Sequence, residues 1–206
     1  MRTRLVGLLR REDGFTLIEM LTALVVVGIL MSAFASIVSA MVTHSTEITA
    51  ESVAQTQARA SIDELARDLR QAYAGDGTNG IEAYTTSSIT FDSPDRATPF
   101  HLRRISYRLS GGVLQRQLTT STNTNGPPWT WGTVGGWADK INNVQNATVF
   151  SAFSDFPTAG GATAGTSTTT ASAVRAVTIS VTVAAPGSHG KQYTYTGSAG
   201  LRSSPP

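Results

Sequence analysis

RREDGFTLIEMLTALVVVGILMSAFASIVSAMV, residues 10–42 of a chain of 206, joins a short charged leader to a long apolar segment. From position 20 to position 42, 23 residues pass without a formally charged side chain. A helix rises about 1.5 Å per residue, so this run is long enough to cross a hydrocarbon core of about 30 Å. The sequence therefore predicts a membrane-spanning helix near the N-terminus.

Basic residues are distributed unevenly around this helix. Arg2, Arg4, Arg10 and Arg11 precede it, and the next arginine or lysine is Arg59. Cytoplasmic flanks of membrane helices carry the excess of Lys and Arg. We therefore expect a single-pass protein of the cytoplasmic membrane, with its N-terminus inside and everything beyond roughly residue 44 exported.

One acidic residue, Glu19, lies inside the apolar run. An acidic residue at the centre of a membrane helix raises the free energy of insertion by roughly 2.5 to 3.5 kcal/mol. A specific role for Glu19 is therefore expected. Cleavage after Gly14 would give Phe15 a cationic α-amino group, and the Glu19 carboxylate could pair with that amine on a neighbouring subunit. A negative charge in the first turn also suits the helix dipole. The alternative, in which lipid headgroups solvate Glu19 at the interface, stays open.

Residues 14–19, GFTLIE, and the apolar helix with Gly28 resemble the processing signature of type IV pilins and type II secretion pseudopilins. The resemblance implies that an aspartyl membrane peptidase cuts after Gly14 and methylates Phe15, and that Glu19 aids assembly. The implied partners are this prepilin peptidase, other pilin or pseudopilin subunits, an inner-membrane assembly platform and membrane lipid. Many major pilins have a helix-loosening proline where this chain has Ser36, so we expect an uninterrupted helix there.

A cleaved secretory signal is the competing interpretation. Ala33-Phe34-Ala35 satisfies the small-residue pattern of a signal peptidase site, with Ser36 as the new start. However, the apolar run is long for that role, and a removable signal explains neither the acids before the run nor Glu19 within it. The residues therefore favour prepilin-type processing.

Composition limits the size of the exported part and its partners. The length allows the membrane helix and one modest globular domain. Residues 1–14 hold four of the 16 basic and two of the 14 acidic residues, which leaves 12 of each in the remainder. The sequence pI of 9.2 thus reflects largely the leader, and nucleic acid remains only an alternative partner. The chain has no cysteine, so no disulfide stabilises it.

After the membrane run, residues 43–73 keep a helical pattern without Gly or Pro. Apolar residues recur there at steps of three and four: Ala58, Ile62, Leu65, Ala66, Leu69 and Tyr73. Arg59 with Asp63, and Asp63 with Arg67, have the i,i+4 spacing of surface ion pairs. The sequence Ala-Gly-Asp-Gly predicts the end of the helix at 74–77.

Beyond the helix the pattern changes to that of β-strands. Alternating apolar residues indicate strands at 89–91, 105–109, 113–118, 177–183 and 192–196, with a hairpin turn at 110–112. Two stretches, 119–136 and 159–172, have the composition of loops. The predicted fold class is α+β and pilin-like, with a long N-terminal helix packed against an antiparallel sheet.

These patterns predict three parts of the chain. Residues 1–14 form a cleaved leader, 15–43 a transmembrane and assembly helix, and 44–206 an exported globular domain. Within that domain, 44–74 continue the helix and 81–206 are rich in strands.

Several later phrases resemble one branch of the same family, the larger minor pilins and the J-type pseudopilin-like proteins. They are IDELARDLRQA at 62–72, ISYRL at 105–109 with VLQR at 113–116, VRAVTI at 174–179 and GLR at 200–202. Their order after the N-terminal motif supports this assignment.

The sequence contains no constellation typical of catalysis. His44, His101 and His189 lack the spacing of a helical metal site. The turn DGTNG at 76–80 offers oxygen atoms but lacks the ligand spacing of a calcium loop. We therefore expect no enzyme activity, no catalytic residue, no cofactor and no metal.

Two groups of residues in the exported part are candidates for binding. Trp129, Trp131 and Trp137 either form an exposed adhesive surface or pack within a loop. Strand alternation places Arg104 and Arg108 on one solvated face and Arg103 on the other.

The hypothesis that follows is a minor pilin or pseudopilin, a structural subunit of a type IV pilus, a type II secretion system or a competence filament. The alternatives are an adhesin or DNA-binding module at a filament surface, and a single-span anchored protein that does not assemble.

Overall fold

The computed structural model describes residues 14–73, 80–95, 98–124, 126–155, 165–184 and 190–201. The expectations for the leader before Gly14, for the turn at 76–79, for His189 and for 159–164 lie outside the described residues. The chain divides into two compact units, Met1–Thr46 and Glu47–Pro206. Helix α1 (Leu17–Arg70) supplies residues to both units.

The C-terminal end of α1 comes earlier than the glycines predict. The helix ends at Arg70, and the amides of Gln71 and Ala72 donate to carbonyls three residues back at 3.1 and 3.0 Å. Such bonds tighten the last turn of a helix. The amide of Tyr73 then donates to the carbonyl of Asp92 at 2.8 Å. The predicted end at 74–77 is therefore wrong. The helix ends earlier because the backbone of Tyr73 already bonds to Asp92 of a neighbouring strand.

The larger sheet is a five-stranded antiparallel meander in which the strands lie in chain order. The predicted hairpin is confirmed: Ser110 pairs with Val113, and Gly111 and Gly112 have φ values of 57° and 74°, as a tight hairpin turn requires. The strands are β1 (Ile81–Tyr84), β2 (Ser88–Asp95), β3 (His101–Ser110), β4 (Val113–Thr120) and β5 (Ala138–Ile141).

The smaller sheet has three antiparallel strands, β6 (Phe150–Phe153), β7 (Ala176–Ala184) and β8 (Gln192–Gly200), with β7 in the centre. The strand predicted at 177–183 is confirmed as β7. The strand predicted at 192–196 is confirmed and extends to Gly200. A 3-10 turn, Ala171–Ala173, precedes β7.

The α+β class with one long helix and antiparallel strands is confirmed, but the strands form two sheets where the sequence predicts one. The pattern misses β1, β5 and β6, each of four residues, because so short a run shows little alternation. The stretch 119–136 is also not purely a loop. Its first two residues complete β4, and Ser121 forms an isolated bridge with Trp131.

Within the unit Glu47–Pro206, the apolar stripe of α1 packs into one core with residues of both sheets. Tyr73, predicted as the last member of the stripe, is 43% exposed because the helix ends before it. The predicted members that are buried are Ala58, Ile62, Leu65, Ala66 and Leu69, and they share a cluster with Ile105 and Tyr107 of β3 and with Val177 and Ile179 of β7.

The charged side of α1 pairs with the strands rather than with itself. Among the described residues, neither of the two ion pairs expected of Asp63, with Arg59 and with Arg67, is formed, so that prediction is wrong. The Arg59 guanidinium lies 5.6 Å from the ring centroid of Tyr195 on β8 instead. A planar guanidinium gains more from an aromatic face than from a solvated carboxylate in an exposed i,i+4 pair.

Two acids of α1 bind the larger sheet. The Nζ of Lys140 donates to both carboxylate oxygens of Glu64, at 3.1 and 2.8 Å. Asp68 accepts from Arg116 at 3.2 Å and from the Tyr107 hydroxyl at 3.4 Å. These bonds fix the rotation of the helix over β3, β4 and β5.

Tyr107 should make the stability of this unit sensitive to alkaline pH. Burial, with a further contribution from the Asp68 carboxylate, raises the pKa of Tyr107 well above its usual value near 10. The folded state therefore keeps this proton after the unfolded chain has lost it, so stability is full below about pH 10 and falls above it. The expected loss from this residue is about 1.4 kcal/mol per pH unit.

The measurement is urea unfolding of the full chain between pH 8 and pH 11. Tyr107→Phe should remove that part of the alkaline slope while keeping the buried ring. Tyr195→Phe, which removes the hydroxyl of a tyrosine on β8, is the matched control and should keep the slope. Equal slopes in wild type and Tyr107→Phe would contradict the role assigned to Tyr107.

Candidate assembly segment

The N-terminal residues of the described chain are open to solvent. The Phe15 side chain is 74% exposed. A Cβ built on Gly14 would meet no atom within 4 Å, so packing in the fold does not require glycine at this position.

Thr16 caps the N-terminus of α1. Its Oγ1 accepts a hydrogen bond from the amide of Glu19 at 3.3 Å, and its carbonyl accepts from the amides of Glu19 and Met20, both at 3.1 Å. Thr16 is thus the N-cap and Glu19 the third helical residue. The signal for this cap was present in the sequence, because T-x-x-E is the pattern of a capping box.

The cap fixes Glu19 in the first turn of the helix, where its carboxylate lies near the positive end of the helix dipole. Gly14 and Phe15 thus lie just before the capped start of α1, and Glu19 lies in its first turn. The pairing partner predicted for Glu19 belongs to another subunit.

The apolar segment of α1 exposes its side chains. Within the described residues, one helix is long and apolar enough to cross a membrane, with a mean hydropathy of 2.5 in its most apolar window and none of that window buried. Its large apolar side chains between Phe15 and Val42 are 41 to 84% exposed. A continuous apolar surface of this size needs lipid or protein to cover it.

Polar side chains within the apolar segment bond to their own helix. The hydroxyls of Thr22, Ser32, Ser36 and Thr43 donate to carbonyls three or four residues earlier, at 2.7 to 3.0 Å. Because each of these hydroxyl donors already has a hydrogen-bond acceptor, these side chains can lie in hydrocarbon without an unpaired donor. The helix runs through Ser36 without a break, as predicted.

The second candidate, the tryptophans with the strand arginines, forms a packed face of the larger sheet. Arg104 lies 4.2 Å from the ring centroid of Trp131, and its guanidinium donates to both carboxylate oxygens of Asp92 at 2.9 and 3.0 Å. Arg108 lies 3.9 Å from the centroid of Trp137. Arg104 and Arg108 do share a face, but the prediction that it is solvated is wrong.

The loop after β4 causes this difference, since it folds back and lays its tryptophans over the arginines. Trp129 makes a tilted contact with Phe100, with ring centroids 5.9 Å apart. All three tryptophans are half-buried. This geometry matches loop packing, the second of the two roles expected for them.

Among the described residues, no group of three or more His, Asp or Glu side chains could hold a metal ion. The Nδ1 of His101 lies 3.0 Å from the carbonyl of Ser121. This contact joins β3 to the loop after β4.

The comparison with protein families bears on the N-terminal segment. No curated protein matches the sequence. One family model matches, and it covers residues 9–35, which include Gly14, Phe15, Glu19 and Gly28. Residues 9–35 of this chain thus carry the prokaryotic N-terminal methylation motif, the signature of type IV pilins and pseudopilins, on an α+β architecture consistent with the pilin fold.

Proposed function

We propose that this chain is a minor pilin or pseudopilin, which a prepilin peptidase cuts after Gly14 and methylates at Phe15. The observation that carries the proposal is that the methylation motif coincides with the capped start of an exposed apolar helical segment. A structural role follows from that motif, because its bearers act as subunits rather than as catalysts.

Before assembly, the apolar segment of residues 15–42 is stored in the cytoplasmic membrane. Lipid tails are about as apolar as leucine side chains, so burial of this segment against other helices gains little from the hydrophobic effect. Close packing and a polar interaction must therefore stabilise the assembled state. Glu19 supplies that interaction by accepting the α-amino group of Phe15 from a neighbouring subunit.

This pairing sets the register between subunits. An unpaired Glu19 in a filament core would carry the cost of a buried charge. Only one axial offset places the carboxylate beside the neighbour's amine, and other offsets leave both charges unpaired. The unit Glu47–Pro206 then decorates the filament or helps to form its tip, in a pilus, a secretion system or a competence apparatus.

The test is the intact mass and the N-terminal sequence of the protein extracted from membranes of cells with and without the prepilin peptidase. A methylated Phe15 start that depends on the enzyme is expected. A start at Ser36 would identify an ordinary secreted domain. An intact Met1 in both strains would identify a membrane anchor, and either of these results would overturn the proposal.

A further inference from the structure

The outer edge of β8 is not paired with any strand that the structure describes. β8 ends the smaller sheet and pairs with β7 over nine residues without a bulge. The amide of Leu201 donates to the carbonyl of Arg175 at 2.9 Å, so odd-numbered residues of β8 bond to β7. The backbone N–H and C=O groups of Thr194, Thr196 and Ser198 therefore point outward along the plane of the sheet, on the side of β8 opposite to β7. No strand among the described residues pairs with them.

The other three sheet ends are covered. Two side chains of α1 donate to the carbonyl of Lys140 on β5, at 3.1 and 3.2 Å. Beside β6, the amide of Thr168 donates to the carbonyl of Ala152 at 2.9 Å. The turn Ala171–Ala173 packs against β1. At β8, within the described parts of the chain, an outward carbonyl is bonded by a side chain instead of a strand: the Arg70 guanidinium donates to the Ser198 carbonyl at 2.9 Å.

The chemistry of this edge favours pairing. Edge strands usually avoid association by means of charged residues, proline or bulges. β8 reads QYTYTGSAG and has none of these. Thr194, Thr196 and Ser198 are exposed and carry no charge, so their side chains do not oppose the approach of another strand.

A groove runs beside the same edge. Its volume is ≈ 320 Å³. α1 forms one wall through Arg59, Ile62 and Asp63, and β8 forms the other through residues 194–196. Its size and charged wall suit small or polar side chains of an adjoining strand.

We propose that the edge of β8 binds an extended, uncharged strand of another polypeptide, which becomes the fourth strand of the smaller sheet. Outward backbone groups recur at every second residue, about 6.8 Å apart, and another strand presents donors and acceptors at the same repeat. A strand without charge also avoids unpaired charge beside Arg59 and Asp63. The inference concerns this edge and is independent of the proposed processing at Gly14.

The β8 sequence is itself a suitable probe. In antiparallel pairing centred on Thr196, Thr194 faces Ser198 of the second strand and no like charges meet, an arrangement typical of stable cross-strand pairs. The experiment adds the synthetic peptide QYTYTGSAG to the full chain in detergent micelles. Residue-resolved hydrogen exchange is then measured at the amides of Thr194 and Ser198.

Two variants make the test specific. Thr196→Pro removes an outward amide, which β7 does not use, and should therefore keep the fold while blocking strand addition. Thr196→Ala changes the same side chain but keeps the amide. Unfolding temperatures of both variants check that the sheet is intact.

We expect the peptide to slow exchange at Thr194 and Ser198 about fivefold or more in the wild type and in Thr196→Ala, but not in Thr196→Pro. The amides of Tyr195 and Gly197, which already bond to β7, should not change. Two results would overturn the proposal: unchanged exchange on addition of the peptide, or equal slowing in the proline variant.

Discussion

Glu19→Ala is expected to lower incorporation into filaments about tenfold or more while leaving membrane insertion and cleavage intact. Removal of one partner of a buried ion pair leaves the other charge uncompensated, at a cost of about 3 to 5 kcal/mol. Each 1.4 kcal/mol corresponds to about a tenfold change in an equilibrium. The measurement is the ratio of this subunit in sheared filaments to that in membranes, with processed length checked by mass.

Glu19→Gln separates two roles of the side chain. Glutamine can serve at the third position of a capping box, as glutamate does, but it has no charge for the Phe15 amine. Pairing between subunits therefore predicts that the glutamine variant fails like the alanine variant. If glutamine restores incorporation, Glu19 acts through its own helix and not through a neighbour. Normal incorporation of both variants would instead favour solvation of Glu19 by lipid headgroups.

Leu65→Ala is expected to lower the free energy of unfolding of the unit Glu47–Pro206 by about 2 to 5 kcal/mol. Leu65 is fully buried, at the centre of the stripe that α1 presents to both sheets. The loss includes both the burial of the removed methyl groups and the cavity that they leave. It is a large share of the roughly 5 to 15 kcal/mol that stabilises a typical domain.

Tryptophan fluorescence during urea unfolding measures this effect, since all three tryptophans lie in that unit. Val53→Ala is the matched control on the same helix. Val53 is 60% exposed, so its truncation should change stability by no more than about 0.5 kcal/mol. Equal losses in the two variants would contradict the packing described for α1.

The sequence predicted those parts of the fold that depend on local pattern. Residues 58–69 repeat every three to four positions, and the structure buries the residues that this repeat selects. Gly111 and Gly112 marked a turn that only positive φ values permit, and the hairpin formed there. The sequence also placed Glu19 in the first turn of the helix, but the Thr16 cap, although its signal is local, was identified only in the structure.

What the sequence did not predict depends on contacts between distant residues. The end of α1 is set by a bond from Tyr73 to Asp92, and strand β5 is held partly by the bond between Lys140 and Glu64. The cover over Arg104 comes from Trp131, 27 positions along the chain. No local periodicity encodes these pairings, so the second sheet and the packed tryptophan loop became evident only in the structure.

The hydroxyls that bond to their own helix in the apolar segment have a consequence for contacts between subunits. Thr22, Ser32, Ser36 and Thr43 already donate to carbonyls of α1. Beyond the first turn, a neighbouring helix therefore meets apolar side chains and hydroxyls whose donors are in use. Directional interactions between such helices would be concentrated at the charged first turn, while the rest of the segment would contribute shape-dependent packing.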